Sequence, residues 1–370
     1  MSMSQPSVLI VGAGPTGLAA ALFLARQGVQ PRIVDMAPAP APHSRALAVN
    51  PRTLELLEPT GVSERMVAEG RPTLGVCFHE GGKVLARVDA ERVHPRYGLT
   101  VLSQARSEAL LAEALEAQGI VVERGRKARL LCQDETSARV CLDDDCVGVG
   151  NFDMVFAADG AHSRFREKLG IDFPGDTYPE AWPLFDVPLE TPLDRRYAHV
   201  LFFPDGMIFL LALDDTVWRV ISSVSDPLSR LPAGSTAGTP LWSSTFHIAH
   251  RVTARCALGR VALGGDAAHI HSPVGARGMN LGIEDAAALA RCVAAQPDNP
   301  VEALSRYHSQ RHGVHEAVVE RIHAITSMAR GGNALLRGLR HTVLPAAARV
   351  PLFRRFALRT VMGLDHPAPG

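Results

Sequence analysis

Residues 260–289 form the stretch RVALGGDAAHIHSPVGARGMNLGIEDAAAL, in which a strand, a turn, a loop and a helix follow one another. The apolar run Val261–Gly264 has strand character, and Gly265-Asp266 places a carboxylate at its end. The next loop contains a proline and two glycines, and a helix is predicted from Met279 onwards. Since the first N–H groups of a helix have no partner within it, this loop and helix are expected to face an anion or another polar ligand.

The N-terminal segment has the same order of elements. Ser7–Val11 is apolar and strand-like, Gly12–Gly17 reads GAGPTG, and Leu18–Gln27 is an Ala/Leu-rich helix. Pro31–Asp35 then returns as a second strand that ends in a carboxylate. The pattern predicts a βαβ unit with the G-x-G-x-x-G dinucleotide motif at its first turn.

Each position of this motif has a physical role. Gly12 permits the tight turn, Gly14 lets the backbone approach a pyrophosphate, and Gly17 lets helix and strand pack closely. Asp35 is placed to accept both hydroxyls of an adenosine ribose, and its charge disfavours a 2′-phosphate. The site is therefore predicted to hold FAD or NAD rather than NADP, and the motif does not choose between the two.

A third strand-end carboxylate lies in residues 151–170. The apolar run FDMVFAA leads into Asp159-Gly160, and Ser163 is placed to cap a short helix. By itself this Asp-Gly pair is equally consistent with ordinary turn chemistry.

Composition excludes several classes of protein. The 370 residues suffice for two domains or one large composite, and 38 Lys and Arg balance 38 Asp and Glu, so no overall field attracts nucleic acid or anionic membranes. Val8–Ala25 is apolar, but the glycines and proline at its centre favour a strand–turn–helix over a signal peptide or membrane span. Six scattered cysteines without a C-x-x-C pair favour the reducing cytoplasm.

The middle of the chain has a different character. Residues 178–254 hold all three tryptophans and the alternating segments YAHVLFF, MIFLLAL and VWRVISSV, which predict an antiparallel sheet. The expected fold is an α/β (α+β composite): a Rossmann-like nucleotide-binding domain with an inserted antiparallel sheet and a helical C-terminus. Its expected boundaries are 1–72, 98–175 and 255–300 for the nucleotide-binding domain, 73–97 and 176–254 for the inserted sheet, and 301–370 for the helices. The basic, apolar C-terminal tail is expected to pack on the core, so stable membrane anchoring is not expected.

The chain resembles the FAD-dependent monooxygenases of the para-hydroxybenzoate hydroxylase type, the flavoprotein aromatic hydroxylases. The resemblance runs from residue 8 to about residue 290, and its ordered set of motifs is far more specific than G-x-G-x-x-G alone. It is carried by the segments GAGPTG, SRALAVNPRTLELL, LSQARSEALL, ADGAHSRFR and GRVALGGDAAHIHSPVGARGMNLGIEDA. The thioredoxin-like C-terminal domain of larger relatives and the W-x-W-x-I-P signature of flavin halogenases have no counterpart in the sequence.

The resemblance implies a role for each motif residue. Without it, Arg45 would be taken for a solvated loop charge, and Gln104 for either a cap partner or a ligand contact. The implied cofactor-binding residues are Gly12, Gly14, Pro15, Thr16 and Gly17 at the FAD pyrophosphate, Asp35 at the adenosine ribose, Arg45 beside the flavin, Gln104 at the ribityl and phosphate portion, Asp159 with Arg166 behind it, Asp266 at the ribityl–pyrophosphate side, and Gly278, Met279 and Asn280 with N–H groups at the flavin pyrimidine edge. The implied catalytic residues are Pro273, over the reacting face, and Arg45.

The resemblance also implies the chemistry. In this family NADPH or NADH reduces FAD, O2 adds at C4a of the flavin, and the hydroperoxide passes an oxygen atom to an aromatic or polyketide-like small molecule. A second dinucleotide motif is absent, so the choice between NADPH and NADH stays open. No metal is expected, because His269 and His271 have no carboxylate cluster in the sequence around them and are interpreted as loop or packing residues.

The substrate pocket is predicted between the inserted sheet and the flavin. The candidates are His199, Phe203, Met207 and Trp218, with Phe209 and Arg219 beside them; strand alternation implies that about half of them face away. Two other functions remain open: an FAD-dependent reductase of the geranylgeranyl-reductase kind, which inserts no oxygen, and a catalytically silent flavin-binding protein. Oxygen uptake coupled to NAD(P)H oxidation distinguishes them. The sequence does not indicate the oligomeric state.

Overall fold

A computed structural model describes residues 6–42, 47–90, 93–143, 148–273, 275–330 and 350–368. Within these ranges the chain forms a parallel sheet, a large mixed sheet, two small antiparallel sheets and the helices around them. The predicted α/β composite fold is confirmed. The boundaries given for its domains stay a prediction.

The parallel sheet is the centre of the first half of the molecule. Its order is β19-β20-β12-β1-β2-β8, and all neighbours are parallel except the pair at the β19 edge. The apolar runs become strands here because both faces are covered by other elements. The strands are β1 (Val8–Val11), β2 (Arg32–Asp35), β8 (Glu123–Arg124), β12 (Met154–Ala157), β19 (Ala257–Leu258) and β20 (Val261–Leu263).

Helices cover one face of this sheet. The main core joins the sheet to the Ala/Leu-rich first helix, the capped fourth helix and the helix predicted from Met279. Pro15 stands at the first turn of its helix, where the missing N–H would have no partner in any case. In the helix after Ser103, the Ser103 hydroxyl is the N-cap and accepts the Arg106 N–H. The helices are α1 (Pro15–Arg26), α2 (Pro51–Leu57), α3 (Val62–Glu69), α4 (Gln104–Glu116), α5 (Arg164–Lys168), α6 (Gly278–Ala295), α7 (Pro300–Arg330) and α8 (Pro351–Val361).

Two three-stranded sheets flank the parallel sheet. One has the order β11-β10-β9 and packs against the face of the parallel sheet that carries Leu9, Val155 and Val261. The other has the order β3-β7-β4. The last strand of the first sheet begins at Gly148, which pairs with Leu142. The strands are β3 (Ala48–Val49), β4 (Arg71–Thr73), β7 (Leu99–Val101), β9 (Ala128–Gln133), β10 (Ala138–Leu142) and β11 (Gly148–Phe152).

The inserted sheet has nine strands. Its order is β21-β18-β13-β16-β15-β14-β5-β6, with β17 paired to β13, and β14 runs parallel to β5. The segment at residues 229–239 contains β17, which pairs with β13. The Gly238 N–H donates to the Pro188 oxygen of β13. The strands are β5 (Gly75–Glu80), β6 (Lys83–Asp89), β13 (Gly175–Glu190), β14 (Tyr197–Phe203), β15 (Gly206–Ala212), β16 (Val217–Ser222), β17 (Thr236–Ala237), β18 (Trp242–Val252) and β21 (His269–Ile270).

The two faces of the nine-stranded sheet pack against different parts of the chain. We call the face of Ala198 and Leu211 the inner face, because these residues share a core cluster with Leu47 and Val101 of the nucleotide-binding half. The outer face carries a separate apolar cluster that includes Trp218. The alternation of each strand therefore assigns every side chain of this sheet to one of two distinct environments.

The C-terminal residues are anchored on α6 and α7. Pro351 begins α8, and it is tolerated there because the N–H groups of the first turn have no partner within the helix. The His366 imidazole contacts Glu284 at 2.5 Å and Asp365 at 2.9 Å, while the fully buried Arg277 guanidinium lies 3.6 Å from both carboxylates. Within the described residues, no helix has the length and apolarity needed to cross a membrane.

This anchor predicts a pH dependence of stability. Burial alone would lower the pKa of His366, but hydrogen bonds to Asp365 and Glu284 outweigh it and raise the pKa above its ordinary value. A raised pKa means that this contribution is complete below the unfolded value of about 6.5 and is lost as pH rises through the folded pKa. We therefore expect the melting temperature to fall by a few degrees between pH 6 and pH 8.5 in calorimetry. His366→Gln should flatten that slope, and an unchanged slope in the variant would assign it to other groups.

Among the described residues, Cys77, Cys132, Cys256 and Cys292 carry free thiols. Cys141 is disulfide-bonded, in contrast to the expectation of reduced cysteines throughout.

Candidate functional site

Three strand ends meet at one edge of the parallel sheet. The register pairs Val11 of β1 with Ala157 of β12, and Ala157 with Leu263 of β20. The loops that follow these residues carry Gly12, Asp159 and Asp266, which lie far apart in the sequence. Because carboxyl ends of parallel strands form the ligand-binding edge of such sheets, these loops define a candidate site.

The three motif glycines differ in what surrounds them. Gly12 has φ +99°, and a Cβ on it would lie 2.2 Å from the Ala158 carbonyl oxygen. A Cβ on Gly17 would lie 1.8 Å from the Gly12 oxygen, so both glycines are required by backbone packing. A Cβ on Gly14 would meet no atom within 4 Å, and Gly14 is the N-cap of α1. The open space is therefore in front of the α1 N-terminus, where a pyrophosphate binds in this motif.

Asp35 holds the glycine loop against the end of β2. Its Oδ2 accepts the Ala13 N–H at 2.6 Å and its Oδ1 accepts the Ala37 N–H at 2.7 Å. The Arg124 guanidinium lies 3.9 Å from Oδ2. The carboxylate is thus oriented by two backbone amides, and Arg124 is a neighbour that no sequence motif indicated.

Gln104 is the first residue of α4, directly after the Ser103 cap. Its amide nitrogen donates to Oε1 of Glu108 at 2.7 Å. Glu108 is buried, and burial raises the pKa of its carboxyl group. The Gln104 side chain is therefore fixed from within its own helix, by a residue not recognised in the sequence.

Asp159 is fixed on one oxygen only. Its Oδ2 accepts the Arg164 N–H at 2.9 Å, while its Oδ1 is buried without a partner in the described part of the chain. Burial raises the pKa of this carboxyl group above its ordinary value. An oriented but unpartnered buried oxygen is unusual in a native structure and indicates a place for a ligand donor.

Arg166 connects the Asp159 loop to the Asp266 loop. Its guanidinium donates to the Ala161 oxygen at 2.9 Å and to the Ala267 oxygen at 3.1 Å, and its carbon Cζ lies 4.1 Å from the centre of the Phe173 ring. The family resemblance placed Arg166 behind Asp159; the structure shows that it positions both loops.

Asp266 is exposed in a 3-10 turn, Gly265–Ala267, whose other two residues are buried. The Asp266 carboxylate is therefore accessible at this edge of the parallel sheet. The turn is held from below, because the Gly265 N–H donates to Oδ2 of Asp285 at 3.0 Å.

Asp285 holds several segments of the site together through buried hydrogen bonds, and no sequence motif assigned it a role. Its Oδ2 also contacts Nε2 of His269 at 2.7 Å, and its Oδ1 accepts from Arg311 at 2.8 Å and from Nε2 of His315 at 2.6 Å. All of these side chains are buried. Burial opposes ionisation of Asp285, but attraction to His315, Arg311 and His269 outweighs it and holds the pKa of Asp285 well below its usual range.

This network corrects one expectation. The sequence around His269 shows no carboxylate partner, yet Asp285 lies against its imidazole, because the turn and α6 fold back on each other. The network joins the Asp266 turn to α6 and α7.

The loop before α6 is a tight turn. The Pro273 oxygen accepts the Ala276 N–H at 2.9 Å, and Gly275 and Ala276 have φ values of +86° and +52°. A left-handed alanine is strained by roughly 1–2 kcal/mol, so the surrounding structure imposes this shape. Pro273 itself is half-buried.

Asn280 clamps this loop to the segment after β3. Its Oδ1 accepts the Asn50 N–H at 3.0 Å, and its Nδ2 donates to the Ala48 oxygen at 2.9 Å and to the Ala276 oxygen at 2.6 Å. The side chain is thus fully used in positioning, and only its backbone N–H is left for the role predicted at the start of α6. Met279 packs in the main core. Arg45 lies outside the described residues.

His271 lies beside the α6 N-terminus. Its Cε1 is 3.9 Å from the position of a Cβ on Gly278, and its Nε2 is buried without a partner in the described ranges. Burial lowers the pKa of His271 to about 4, so the ring is neutral near pH 7. A neutral ring with an unpartnered nitrogen adds a second ligand-facing polar atom to the site.

The candidate substrate residues separate between the two faces of the inserted sheet. Met207 belongs to the cluster on the inner side, together with half-buried Phe209. Phe203 and Trp218 belong to the outer cluster, and His199 lies with its ring centre 6.0 Å from that of Trp218. Of these four candidates, only Met207 lies on the inner face, which packs against the nucleotide-binding half of the chain.

Arg219 lies on the inner face and is paired. It donates to both oxygens of Asp186 at 2.6 and 2.7 Å, and its Cζ lies 5.1 Å from the centre of the Trp242 ring. This buried pair is the main charged feature described on the inner face between β13 and β16.

The open space at Gly14, the unpartnered oxygen of Asp159 and the unpartnered nitrogen of His271 fit an extended dinucleotide cofactor that runs along the sheet edge towards α6. A fold and a site of this kind are those of a dinucleotide-binding protein.

Comparison with known proteins identifies the family. Residues 5–212 and 228–322 match the family described as FAD binding domain. The chain is 34% identical over 394 residues to 6-methylpretetramide 4-monooxygenase of Streptomyces rimosus, covering 97% of this chain and 69% of that protein. It is 31% identical over 357 residues to pentachlorophenol 4-monooxygenase of Sphingobium chlorophenolicum, covering 89% and 66%.

A solved structure agrees with this assignment. OxyS anhydrotetracycline hydroxylase from Streptomyces rimosus superposes with a TM-score of 0.80 at 27% identity, over 99% of this chain and 77% of that chain. The chain belongs to the FAD binding domain family and is a flavin-dependent monooxygenase. The family prediction is confirmed, and the comparisons favour hydroxylation over the reductase alternative.

Proposed function

We propose that this enzyme hydroxylates a fused-ring, electron-rich aromatic molecule, with O2 and either NADPH or NADH as co-substrates. Bound FAD supplies hydride acceptance and oxygen activation. The residues of the chain bind the cofactor, orient the substrate ring and exclude water. The observation that supports the proposal is that the inner face of the nine-stranded sheet packs against the nucleotide-binding half, where Leu47 and Val101 share a core cluster with Ala198 and Leu211.

The proposed cofactor contacts follow the geometry of the site. The α1 N-terminus at Gly14 takes the pyrophosphate, Asp35 the adenosine ribose, and Asp266 the ribityl side. The backbone N–H groups of Gly278, Met279 and Asn280 face the flavin pyrimidine edge, where a helix N-terminus stabilises negative charge. Gln104, Asp159 and Pro273 keep the contacts that the resemblance implies.

The proposed substrate pocket lies against the inner face. Phe209 supplies apolar surface there, in the same cluster as the buried Met207, and Trp242 covers the Arg219–Asp186 pair. Since Arg219 already pairs with Asp186, a phenolate or enolate oxygen of the substrate would be oriented by the edge of this pair rather than by a free cation. Two relatives are named as monooxygenases of 6-methylpretetramide and of pentachlorophenol, and the second name supports a phenolic ring.

The proposal is tested by screening substrates with the purified yellow protein. NADPH and NADH oxidation and O2 uptake are measured against fused-ring phenols, monocyclic phenols and salicylates, and product masses are determined. We expect stimulation by at least one fused-ring phenol and a product that has gained one oxygen atom. Nucleotide oxidation without O2 uptake would indicate the reductase chemistry instead. A protein that binds the phenols but never oxidises NAD(P)H would indicate a silent binding protein.

The position of the pocket is tested by a matched pair of phenylalanines. Phe209 on β15 and Phe203 on β14 are both half-buried but lie on opposite faces. Phe209→Ala should lower substrate-stimulated kcat/KM about 10- to 100-fold, because a lost aromatic contact costs roughly 1.5–3 kcal/mol. Phe203→Ala should leave kcat/KM within about twofold, since the ring packs under Arg230 on the outer face. Both variants should stay yellow, and the reverse order of effects would move the pocket to the outer face.

A further inference from the structure

Three side chains with metal-ligand chemistry meet on the outer face of the nine-stranded sheet. Cys77 and His79 are two residues apart on β5 and therefore point to the same side. His199 of β14 is the cross-strand partner of Cys77 in the parallel pairing. One ligand atom from each of the three lies within 4.8 Å of the others. Rigid strands, rather than loops, thus hold the cluster together.

The hydrogen bonds of His199 orient its ring as a ligand. Its Nε2 lies 2.9 Å from the Asp194 carbonyl oxygen, which can only accept, so Nε2 carries the proton. Nδ1 then presents a lone pair, and it lies 2.9 Å from Nε2 of His79. An imidazole that donates its second N–H to a backbone carbonyl is the usual outer-shell arrangement of a metal-binding histidine.

The spacing accommodates a cation between the ligand atoms. Zn–N bonds of about 2.0–2.1 Å in a tetrahedron separate two nitrogens by about 3.3 Å, so the His79–His199 contact needs to widen by only a few tenths of an ångström. That hydrogen bond joins two candidate ligand atoms to each other. A cation that replaced it would leave no other group unpaired.

The surroundings suit a divalent cation with a thiolate ligand. Cys77 and His199 are 7% and 2% exposed, whereas His79 is half-buried, so the fourth coordination position opens towards solvent. The Asp89 and Asp194 carboxylates lie close enough to act on Cys77, and each is paired with an arginine, Arg87 and Arg196 respectively. Two imidazoles and one thiolate form a donor set that zinc prefers over magnesium or calcium.

The two other His/Cys/Asp groups of the described residues are less suitable. In one, Nε2 of His269 and Nε2 of His315 already contact the Asp285 carboxylate at 2.7 and 2.6 Å, and the same carboxylate accepts from Arg311. In the other, the Cys256 thiol contacts His315 at 3.5 Å, and Nδ1 of His308 accepts the Cys256 N–H at 3.3 Å.

We propose that Cys77, His79 and His199 form a Zn²⁺ site that fastens the β5–β6 hairpin to β14. Binding replaces the Cys77 S–H bond by a Zn–S bond and releases the proton to the buffer, with no change of oxidation state. The fourth ligand is water. The opposite side of the same hairpin carries Phe78, which stacks on Phe202 of β14, so the metal stabilises the sheet edge that also forms the inner face. The site does not depend on the proposed hydroxylation.

The test uses the tag-free, FAD-containing protein after treatment with a chelator. Equilibrium dialysis against micromolar Zn²⁺ should return one zinc per chain and raise the melting temperature by a few degrees. Co²⁺ should give tetrahedral d–d bands at wavelengths longer than the flavin absorption. His79→Ala and Cys77→Ser should each weaken zinc binding at least 10- to 100-fold and keep bound FAD. His79 is half-buried, so its variant is expected to fold.

Matched controls assign the zinc to this cluster. His247→Ala removes an exposed histidine of β18, and Cys132→Ser removes an exposed thiol; both should bind zinc as the unchanged protein does. No zinc uptake by the unchanged protein would overturn the proposal. So would uptake that survives both ligand variants, or uptake that is lost in His308→Ala instead.

Discussion

Replacing Asp285 by alanine is expected to give a colourless and strongly destabilised protein. The substitution leaves the buried Arg311 guanidinium, the His269 and His315 rings and the Gly265 N–H without their shared acceptor. Removing one partner of a buried ion pair costs about 3–5 kcal/mol, which is a large part of the stability of a typical domain. Because the Gly265 N–H holds the Asp266 turn, flavin binding should fail even where the rest of the chain folds. Flavin content and urea unfolding measure the two effects separately.

Two variants make this result specific to Asp285. Asp285→Asn keeps the size of the side chain but turns an amide nitrogen towards two donors, so it should be intermediate between the unchanged protein and the alanine variant. Glu320→Ala removes an exposed carboxylate of α7 and should change stability by no more than about 0.5 kcal/mol. A yellow Asp285→Ala protein with unaltered stability would show that the carboxylate does not hold the site.

The second large effect comes from the pair Gly12→Ala and Gly14→Ala. At Gly12 the new methyl group would lie 2.2 Å from a backbone oxygen at φ +99°, so the protein should unfold at lower denaturant and lose FAD. At Gly14 the methyl group meets no protein atom within 4 Å and φ is −75°. Stability without FAD should therefore fall by no more than about 1 kcal/mol, the usual cost of alanine at a helix N-cap.

Flavin binding separates the two glycines further. The Gly14 methyl group would fill the space in front of the α1 N-terminus, so Gly14→Ala should weaken FAD binding at least about tenfold, which corresponds to about 1.4 kcal/mol. Titration of the flavin-free protein, followed by flavin fluorescence, gives both dissociation constants. If Gly14→Ala bound FAD as tightly as the unchanged protein, the pyrophosphate would have to lie elsewhere.

The sequence was sufficient where function depends on local motifs. Gly12, Asp35, Asp159 and Asp266 follow apolar strands directly, and strand ends of one parallel sheet necessarily meet at one edge. The caps at Ser103 and Ser163 were likewise predictable, because a cap acts within one helical turn.

The positioning residues were beyond local patterns. Asp285, Arg166 and Asn280 act on segments up to 232 residues away, and no short-range signal marks such partners. The long strand β13 was missed because it contains prolines, one of which, Pro179, lies where the pairing with β18 shifts register. The grouping of Cys77 with His199 likewise depends on a parallel pairing of distant strands.

The faces of the inserted sheet were only partly predictable. Alternation implied that some of His199, Phe203, Met207 and Trp218 would face away, but it did not indicate which. That assignment requires the contacts of Leu47 and Val101 with one face, and these come from the other half of the chain.

The Asn280 clamp has a consequence for attempts to alter substrate range. One amide side chain holds both the segment at residues 48–50 and the turn that begins at Pro273, so the two loops share a single support. The partners of Asn280 are backbone groups, so side chains of either loop can be varied while Asn280 is kept, whereas a change at Asn280 itself should release both loops and lower activity without altering any substrate contact. Saturation of both loops together, with Asn280 kept constant, is the combination in which new specificity and an intact flavin site can be selected at once.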